Sequence, residues 1–520
     1  MSATESPEHE VKDRGQQSML ARHRAKENGN EPPTAPTGQK VAAFPLSYKE
    51  GWSQWWQGLS PAVTEHRVLS FIPYLSGPPT HTQTGVLPPS NKSSTEVDHS
   101  PEREAAPVTT NSADDPYGPR RWQSSLVQLA GKNRFLNEFS VERVGEDPSN
   151  NLVMLHGYGA GLGFFYRNFE PLSRLAGWKL YALDMLGMGR SSRPPFQIAA
   201  KDHQSKISEA ESWFVDSLEE WRVKKGIDRF TLLGHSLGGY MAVAYALKYP
   251  GHLNKLILAS PVGIPEDPYA VSAELPEPSS STLQNEFTQS ANDAVAPSAA
   301  SKTSSDAPPP RKPLPKWLTT LWDANISPFS FVRLSGPLGP RLVSGWTSRR
   351  FSHLEPDEAQ ALHDYSYSLF RQRGSGEYAL AYVLAPGAFA RSPLIRRVQG
   401  LGRQWLGQHD APTVDGDMNA SVKKVKETGL PVVFLYGEND WMDVKGGYAA
   451  AEKIKEAKVK ALEGASEEER SRDNGDAKVV VIRKAGHHVY LDSAEHFNEV
   501  VEGEMRDVQT RERRLGFQKP

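Results

Sequence analysis

Along the middle of the chain, short apolar runs alternate with stretches in which apolar residues recur every three or four positions. NLVMLHG (151–157), KLYALDM (179–185), RFTLLGHS (229–236), NKLILAS (254–260), PVVFLYG (431–437) and KVVVIRKAG (478–486) have strand length, several are rich in β-branched residues, and each closes in Gly or polar residues. Continuous apolar runs of this kind predict strands buried on both faces of a parallel sheet. Between them, SEAESWFVDSLEEWRVKKG (208–226) places Ala210, Trp213, Phe214, Ser217, Leu218 and Trp221 along one stripe, the pattern of an amphipathic helix. The alternation predicts an α/β fold with a mostly parallel central sheet flanked by helices and right-handed crossovers. Only 261–428 breaks the rhythm. There KWLTTLWDANISPFSFVRLSG and DEAQALHDYSYSLFRQRG, aromatic-rich and helical in pattern, separate two strands that should be neighbours, which predicts a helical cap inserted above the sheet.

Polar composition subdivides the chain further. Residues 1–44 predict a disordered N-terminal segment, and the stretches 80–121, 270–313 and 458–477 hold too few large apolar residues to repay ordering, so they predict disordered or loosely held insertions. The core then runs over 45–260 and resumes over 429–510, on either side of the cap. A formal net charge of −2 gives no global field for nucleic acid. With no cysteine, disulfides, thiolate catalysis and cysteine-held metal centres are excluded. No apolar stretch reaches the roughly 18 to 20 residues of a spanning helix. The first forty residues lack the apolar core of a secretory signal and carry several acids, a poor mitochondrial signal too, although QSMLARHRAK (17–26) is basic.

The strand RFTLLGHS runs into Gly234-His235-Ser236-Leu237-Gly238 and then a helical pattern. Strand, Gly-x-Ser-x-Gly and helix together form a nucleophile elbow: glycines allow a sharp turn that thrusts Ser236 Oγ out at the strand's carboxyl end, where the helix amides converge. A plain Gly/Ser turn in a βα unit would show the same pentapeptide. The loop His156-Gly157-Tyr158-Gly159-Ala160-Gly161 supplies a second amide for an oxyanion hole, so Leu237 and Tyr158 are the expected donors, with Gly159 a near alternative. As a phosphate loop it lacks both a Gly-Lys-Ser/Thr ending and an acidic ribose partner. His487, directly after the last strand's Gly486, is the expected base, with His488 its neighbour. Asp440, after PVVFLY, is the expected acid, with Asp443 a rival that also suits a helix cap. Ser236, Asp440, His487 is the chain order of an α/β-hydrolase triad, which predicts acyl transfer through a serine ester and requires no metal or organic cofactor.

HGYGAGLGFFYRNFEPLS, LDMLGMGRSSRPPF, GHSLGGYMAVAYALKYP, LILASPVGIPEDP, LYGENDWMD and GHHVYLDSAEHFNEVV together resemble the abhydrolase 4/5-like α/β hydrolases that act on lipids, over roughly 45–80 and 120–510 less the insertions. That family includes mitochondrial cardiolipin-specific deacylases and lysophosphatidic acid acyltransferase/lipase-activator proteins. The resemblance implies a phospholipid or other acyl-lipid substrate, a cardiolipin-type deacylase with a mitochondrial location, and, as alternatives, an acyl-CoA-dependent acyltransferase or a non-catalytic lipase coactivator at a lipid droplet or in the cytoplasm. Some relatives have lost the serine, whereas Ser236 is present here. The resemblance also implies a His-x4-Asp acyltransferase motif, matched by His487 and Asp492. Asp492-x-x-Glu495 equally reads as a capping box opening the helix SAEHFNEVVEGEM, and that is the expectation taken forward. Trp52, Trp55 and Trp56 suit a membrane interface, since the indole ring is amphipathic, or a core plug under the cap.

Overall fold

The computed structural model describes residues 45–75, 77–80, 107–266, 327–385, 389–406 and 425–516. The segments 1–44 and 270–313, and the part of 80–121 between 81 and 106, lie outside the described residues.

Nine strands form the central sheet: β1 (Val108–Asn111), β2 (Arg120–Gln128), β3 (Phe135–Arg143), β4 (Asn150–Leu155), β5 (Trp178–Leu183), β6 (Phe230–His235), β7 (Leu253–Ala259), β8 (Pro431–Gly437) and β9 (Asp476–Ile482), in the order β1-β2-β3-β5-β4-β6-β7-β8-β9. From β5 through β9 every pairing is parallel, and β1, β2 and β3 complete one end through antiparallel pairings. The six apolar runs of the sequence are the six parallel strands. Because successive strand side chains face opposite ways, the runs feed two layers. Leu155, Leu232, Leu256 and Phe434 join the layer under α4 (His203–Lys224) and α5 (Leu237–Lys248), with Phe214, Leu218, Trp221 and Met241. Met154, Leu233, Ile257 and Leu435 join the other layer, where α12 (Ala494–Arg514) lays down Phe497, Val501, Met505 and Val508 at helical spacing.

Two expectations are corrected. Residues 107–121 of the supposed insertion 80–121 carry β1 and the start of β2, and β3 follows. These strands do not read as apolar runs because β3 buries Asn137, Glu138 and Ser140: Glu138 accepts from the Ser125 hydroxyl and the Trp221 indole and pairs with Lys225, and Asn137 Nδ2 donates to Glu65 and Asp184. The segment 458–477 is likewise structured. It contains the end of the helix Val444–Ala461, a short helix Glu467–Arg472 and the start of β9. Its polarity is that of a solvated helix face, and Ser466-x-x-Glu469 is a capping box in which each residue receives the other's backbone N–H, a signal present in the sequence.

Between β7 and β8 the described residues carry helices Pro328–Leu334, Gly339–Arg350 and Pro356–Phe370. They reach the loop that follows β4, where Phe329 stacks on Tyr158 with ring centroids 4.7 Å apart and on Phe370 at 4.4 Å. N-terminal to the sheet, helices Tyr48–Gln57 and Pro61–Leu69 join the same side. Gln54 donates to Asp364, and Thr64 bonds Ser368, both on Pro356–Phe370. Trp52 and Trp56 are exposed, at 57% and 76%, so the core-plug alternative does not hold for them. The helix turns its polar Gln54 inward and leaves Trp55 half-buried between the two exposed indoles.

Candidate active site

Close backbone packing shapes the turn between β6 and α5. A Cβ on Gly234 would lie 2.3 Å from the Gly238 carbonyl oxygen, and one on Gly238 would lie 2.6 Å from that of Leu155. Only glycine fits at either position. Ser236, between them, has φ 53° and ψ −114°, a strained conformation costing about 1 to 3 kcal/mol that the surroundings must hold in place. Its N–H donates to the Ala259 carbonyl, and its own carbonyl accepts from Gly239, Tyr240 and Val262. Leu237 is the first residue of α5, so its N–H has no acceptor within the helix.

The loop after β4 comes within contact of this turn. A Cβ on Gly157 would lie 2.8 Å from His235 Nδ1 and 3.1 Å from Ser236 Cβ. Further along, the Leu162 amide donates to Asp184 at 2.7 Å and the Gly163 amide to the Tyr365 hydroxyl at 3.3 Å, while Tyr158 stacks on Phe329 and a Cβ on Gly159 would lie 3.3 Å from Phe329 and Phe370. His156 faces away from the serine: its Nδ1–H donates to the Gly157 carbonyl and its Nε2 accepts from the Met185 amide, which fixes a neutral ring, consistent with burial lowering its pKa. Asp184 also accepts from Asn137 and from the Arg190 amide. Behind it, burial pushes the Glu65 carboxyl up to about 7 despite its pairing with Arg190.

The acid and base arrive from β8 and β9. A Cβ on Gly437 would lie 2.2 Å from the Gly486 carbonyl oxygen, so glycine lets the two strand ends close together. There His487 Nδ1 donates to Asp440 Oδ1 at 3.2 Å, leaving Nε2 as the lone-pair nitrogen of a neutral ring. Burial opposes ionisation of Asp440, but the charge and hydrogen bond of His487, the Ser260 hydroxyl and the Met442 amide outweigh it and hold the carboxyl below its usual range. Asp443 is exposed and caps the helix Val444–Ala461 by accepting from the Lys445 amide, so the bond to the base belongs to Asp440. Ser236 and His487 are each 5% exposed. The His235 ring lies against His487, centroids 4.8 Å apart, and its Nε2–H donates to the His487 carbonyl at 3.0 Å.

His488 points elsewhere, its Nδ1 accepting from Arg350 at 2.8 Å. Asp492 overturns an expectation. It ends the short helix Val489–Asp492, and the next helix starts at Ala494 with Ser493 at its N-cap and no side-chain cap. The Asp492 carboxylate turns backward instead, to the Gly486 amide at 2.9 Å and Arg350 at 3.1 Å. The spacing Asp-x-x-Glu is the same whichever way the carboxylate turns. His235, Ser260 and Arg350 were not singled out from the sequence, since each acquires its role only through contacts far along the chain.

No group of three or more His, Asp or Glu able to hold a metal occurs among the described residues. Comparison with known proteins gives a match of residues 150–494 to the family described as alpha/beta hydrolase fold. A 1-acylglycerol-3-phosphate O-acyltransferase of Arabidopsis thaliana is 32% identical over 387 residues, covering 73% of this chain and 71% of that protein. The human 1-acylglycerol-3-phosphate O-acyltransferase ABHD5 is 30% identical over 389 residues, 74% of this chain and 84% of that protein. A human (lyso)-N-acylphosphatidylethanolamine lipase is 29% identical over 387 residues, 71% of this chain and 86% of that protein.

Proposed function

The chain belongs to the α/β-hydrolase family, in its abhydrolase 4/5-like branch, and from that premise we propose that it is a serine-dependent lipid acyl hydrolase that removes fatty-acyl chains from a phospholipid of cardiolipin type. The observation that carries the reading is the His487 Nδ1 to Asp440 bond at the carboxyl ends of β8 and β9, in the same sheet whose strand β6, separated from β8 by β7 alone, presents Ser236 on a strained elbow. Asp440 fixes the imidazole tautomer, so His487 Nε2 takes the proton from Ser236 as its oxygen attacks the ester carbonyl. The amides of Leu237 and Tyr158 receive the oxyanion. His487 then protonates the departing alcohol, and a water deprotonated by the same nitrogen releases the fatty acid and regenerates Ser236.

Peripheral membrane association belongs to the same proposal. Trp52 and Trp56 are exposed one helical turn apart, and Tyr48 on that helix holds Arg341 of the cap 3.7 Å over its ring. Cap residues Phe331, Leu334, Leu338 and Leu342 are exposed as well. Among the described residues no helix is long and apolar enough to cross a membrane. A mitochondrial membrane as its location is part of the same proposal, and fractionation of the tagged protein tests it.

A second reading, an acyl-CoA-dependent lysophosphatidic acid acyltransferase, is favoured by the names its relatives carry. It uses the same serine ester with a lysophospholipid in place of water. Product analysis of the purified protein on mixed phospholipids, with and without acyl-CoA and lysophosphatidic acid, separates the two. Free fatty acid and lysolipid without acyl-CoA support the deacylase, and phosphatidic acid formed only with acyl-CoA supports the transferase. Failure of a fluorophosphonate probe to label Ser236 would instead favour a non-catalytic coactivator.

A further inference from the structure

We infer that Asp492 and Arg350 are positioning residues for the general base, a latch that ties the cap to the loop carrying His487. The inference rests on the hydrolase reading above.

The backbone around His487 is held from two sides. Asp492 Oδ2 accepts the Gly486 N–H at 2.9 Å, just before the base, and His235 Nε2–H donates to the His487 carbonyl at 3.0 Å, just after it. His235 belongs to the elbow itself, so one hold fixes the base relative to the nucleophile. The other leads to the cap. Arg350, the last residue of the helix Gly339–Arg350, donates from Nη2 to Asp492 at 3.1 Å and from Nε to His488 Nδ1 at 2.8 Å. The two side chains are 15% and 10% exposed, and His353 Nε2 lies 3.7 Å from the same carboxylate. A charge pair this enclosed loses far more when one partner is removed than a surface pair does, because the remaining charge stays buried and uncompensated.

Each carboxylate oxygen of Asp492 is thus engaged, one by the base loop and one by the cap, so the aspartate of the His-x4-Asp motif acts on His487 through the backbone and not on an acyl acceptor. A small displacement of the base is costly, since misplacing a reacting group by about 1 Å can lower rate about 100-fold. The cap therefore sets the catalytic geometry as well as covering it, through one arginine.

The test uses the full-length protein, a short soluble p-nitrophenyl ester, and the rate of Ser236 labelling by a fluorophosphonate. Asp492→Ala should lower kcat and the labelling rate together by about 10- to 100-fold, with KM within about twofold of wild type. Arg350→Gln should do the same more weakly, and Arg350→Lys should recover part of the loss. Asp492→Asn, which keeps an acceptor for Gly486 without the charge, should fall between; it and Arg350→Gln decide the matter by the same criteria if the alanine variant does not fold. Wild-type kcat and labelling in folded variants would overturn the latch, as would a change in KM alone or a loss confined to transfer onto lysophosphatidic acid. His487→Ala is the control: if it still hydrolyses the ester at the wild-type rate, the hydrolase reading itself fails, whatever the Asp492 variants show.

Discussion

Ser236 occupies a backbone conformation that an unstrained turn would not adopt, and its hydroxyl is a single small group on that turn, one that makes no cap bond to the helix it precedes. Ser236→Ala should therefore abolish lipid turnover, by several orders of magnitude, while leaving the melting temperature near wild type; more than a tenth of the wild-type hydrolysis in folded protein would remove Ser236 from the reaction. The two aspartates near β8 should part company for an equally local reason. Asp440→Asn should cost far more activity than Asp443→Asn, because Asp440 bonds the His487 ring and Asp443 caps a helix, whereas Asp443→Ala should cost about 1 kcal/mol of stability through the lost helix cap and little rate. Kinetics and melting on the same preparations check both, and the reverse ranking would transfer the acid role. Ser236, Asp440 and His487 were legible because each sits at a fixed offset from the end of an apolar run. Asp492 was not, since its backward turn is decided by Arg350, a residue from the cap.

Strands β4 to β9 read clearly from the sequence because burial on both faces demands continuous apolar runs, and α4 read clearly from its stripe. The antiparallel strands did not. In β3 the Glu138 carboxylate and the Asn137 Nδ2 find partners from other elements, so local hydrophobicity carries no sign of burial. The helix Tyr48–Gln57 was ambiguous for the opposite reason: tryptophan suits a core and an interface equally, and only the exposure of Trp52 and Trp56 distinguishes them. If that helix docks on lipid, Trp52→Ser with Trp56→Ser should weaken binding to cardiolipin-containing vesicles about tenfold or more, given the area each indole would bury. Hydrolysis of a soluble ester should not change. Vesicle co-sedimentation alongside the ester assay checks the pair of outcomes, and unchanged co-sedimentation would move the lipid contact away from this helix.

The whole molecule inherits a pH dependence from carboxyls enclosed between the N-terminal helices, the sheet and the cap. Burial raises Glu65 to about 7, against the opposing pull of Arg190, with Asp184 adding to the rise; burial likewise raises Asp364 to about 6 against Arg67, Gln360 and Gln54. In each case the folded state holds its proton more tightly than the unfolded chain does. The associated stability is full below the ordinary carboxyl range, near 4.5 for Glu65, and is lost as pH rises through about 6 to 7. Buried His156, His235, His363 and His488, whose pKa values burial lowers, act in the opposite direction over the same range, so the check is a difference. In thermal melts between pH 5 and pH 7.5 the melting temperature of wild type should fall relative to that of Glu65→Gln as pH rises, and a constant difference would assign the effect elsewhere. At the same scale, the parallel pairing of β7 with β8, Leu256 opposite Val432 through Ala259 opposite Leu435, has a consequence for how this fold can vary. The sheet pins the two ends of everything between Ala259 and Pro431 side by side, so that excursion is a closed loop whose entropy of closure grows only with the logarithm of its length, about 0.6 kcal/mol for each doubling. Lengthening sequence there is thermodynamically inexpensive, provided that Arg350 still arrives at Asp492 and the buried cap residues such as Phe329 and Tyr365 keep their places in the core. Length and catalytic alignment are in that sense separately inherited: the first can drift along the excursion, and the second is held where the cap returns to the base loop, at Arg350 and Asp492.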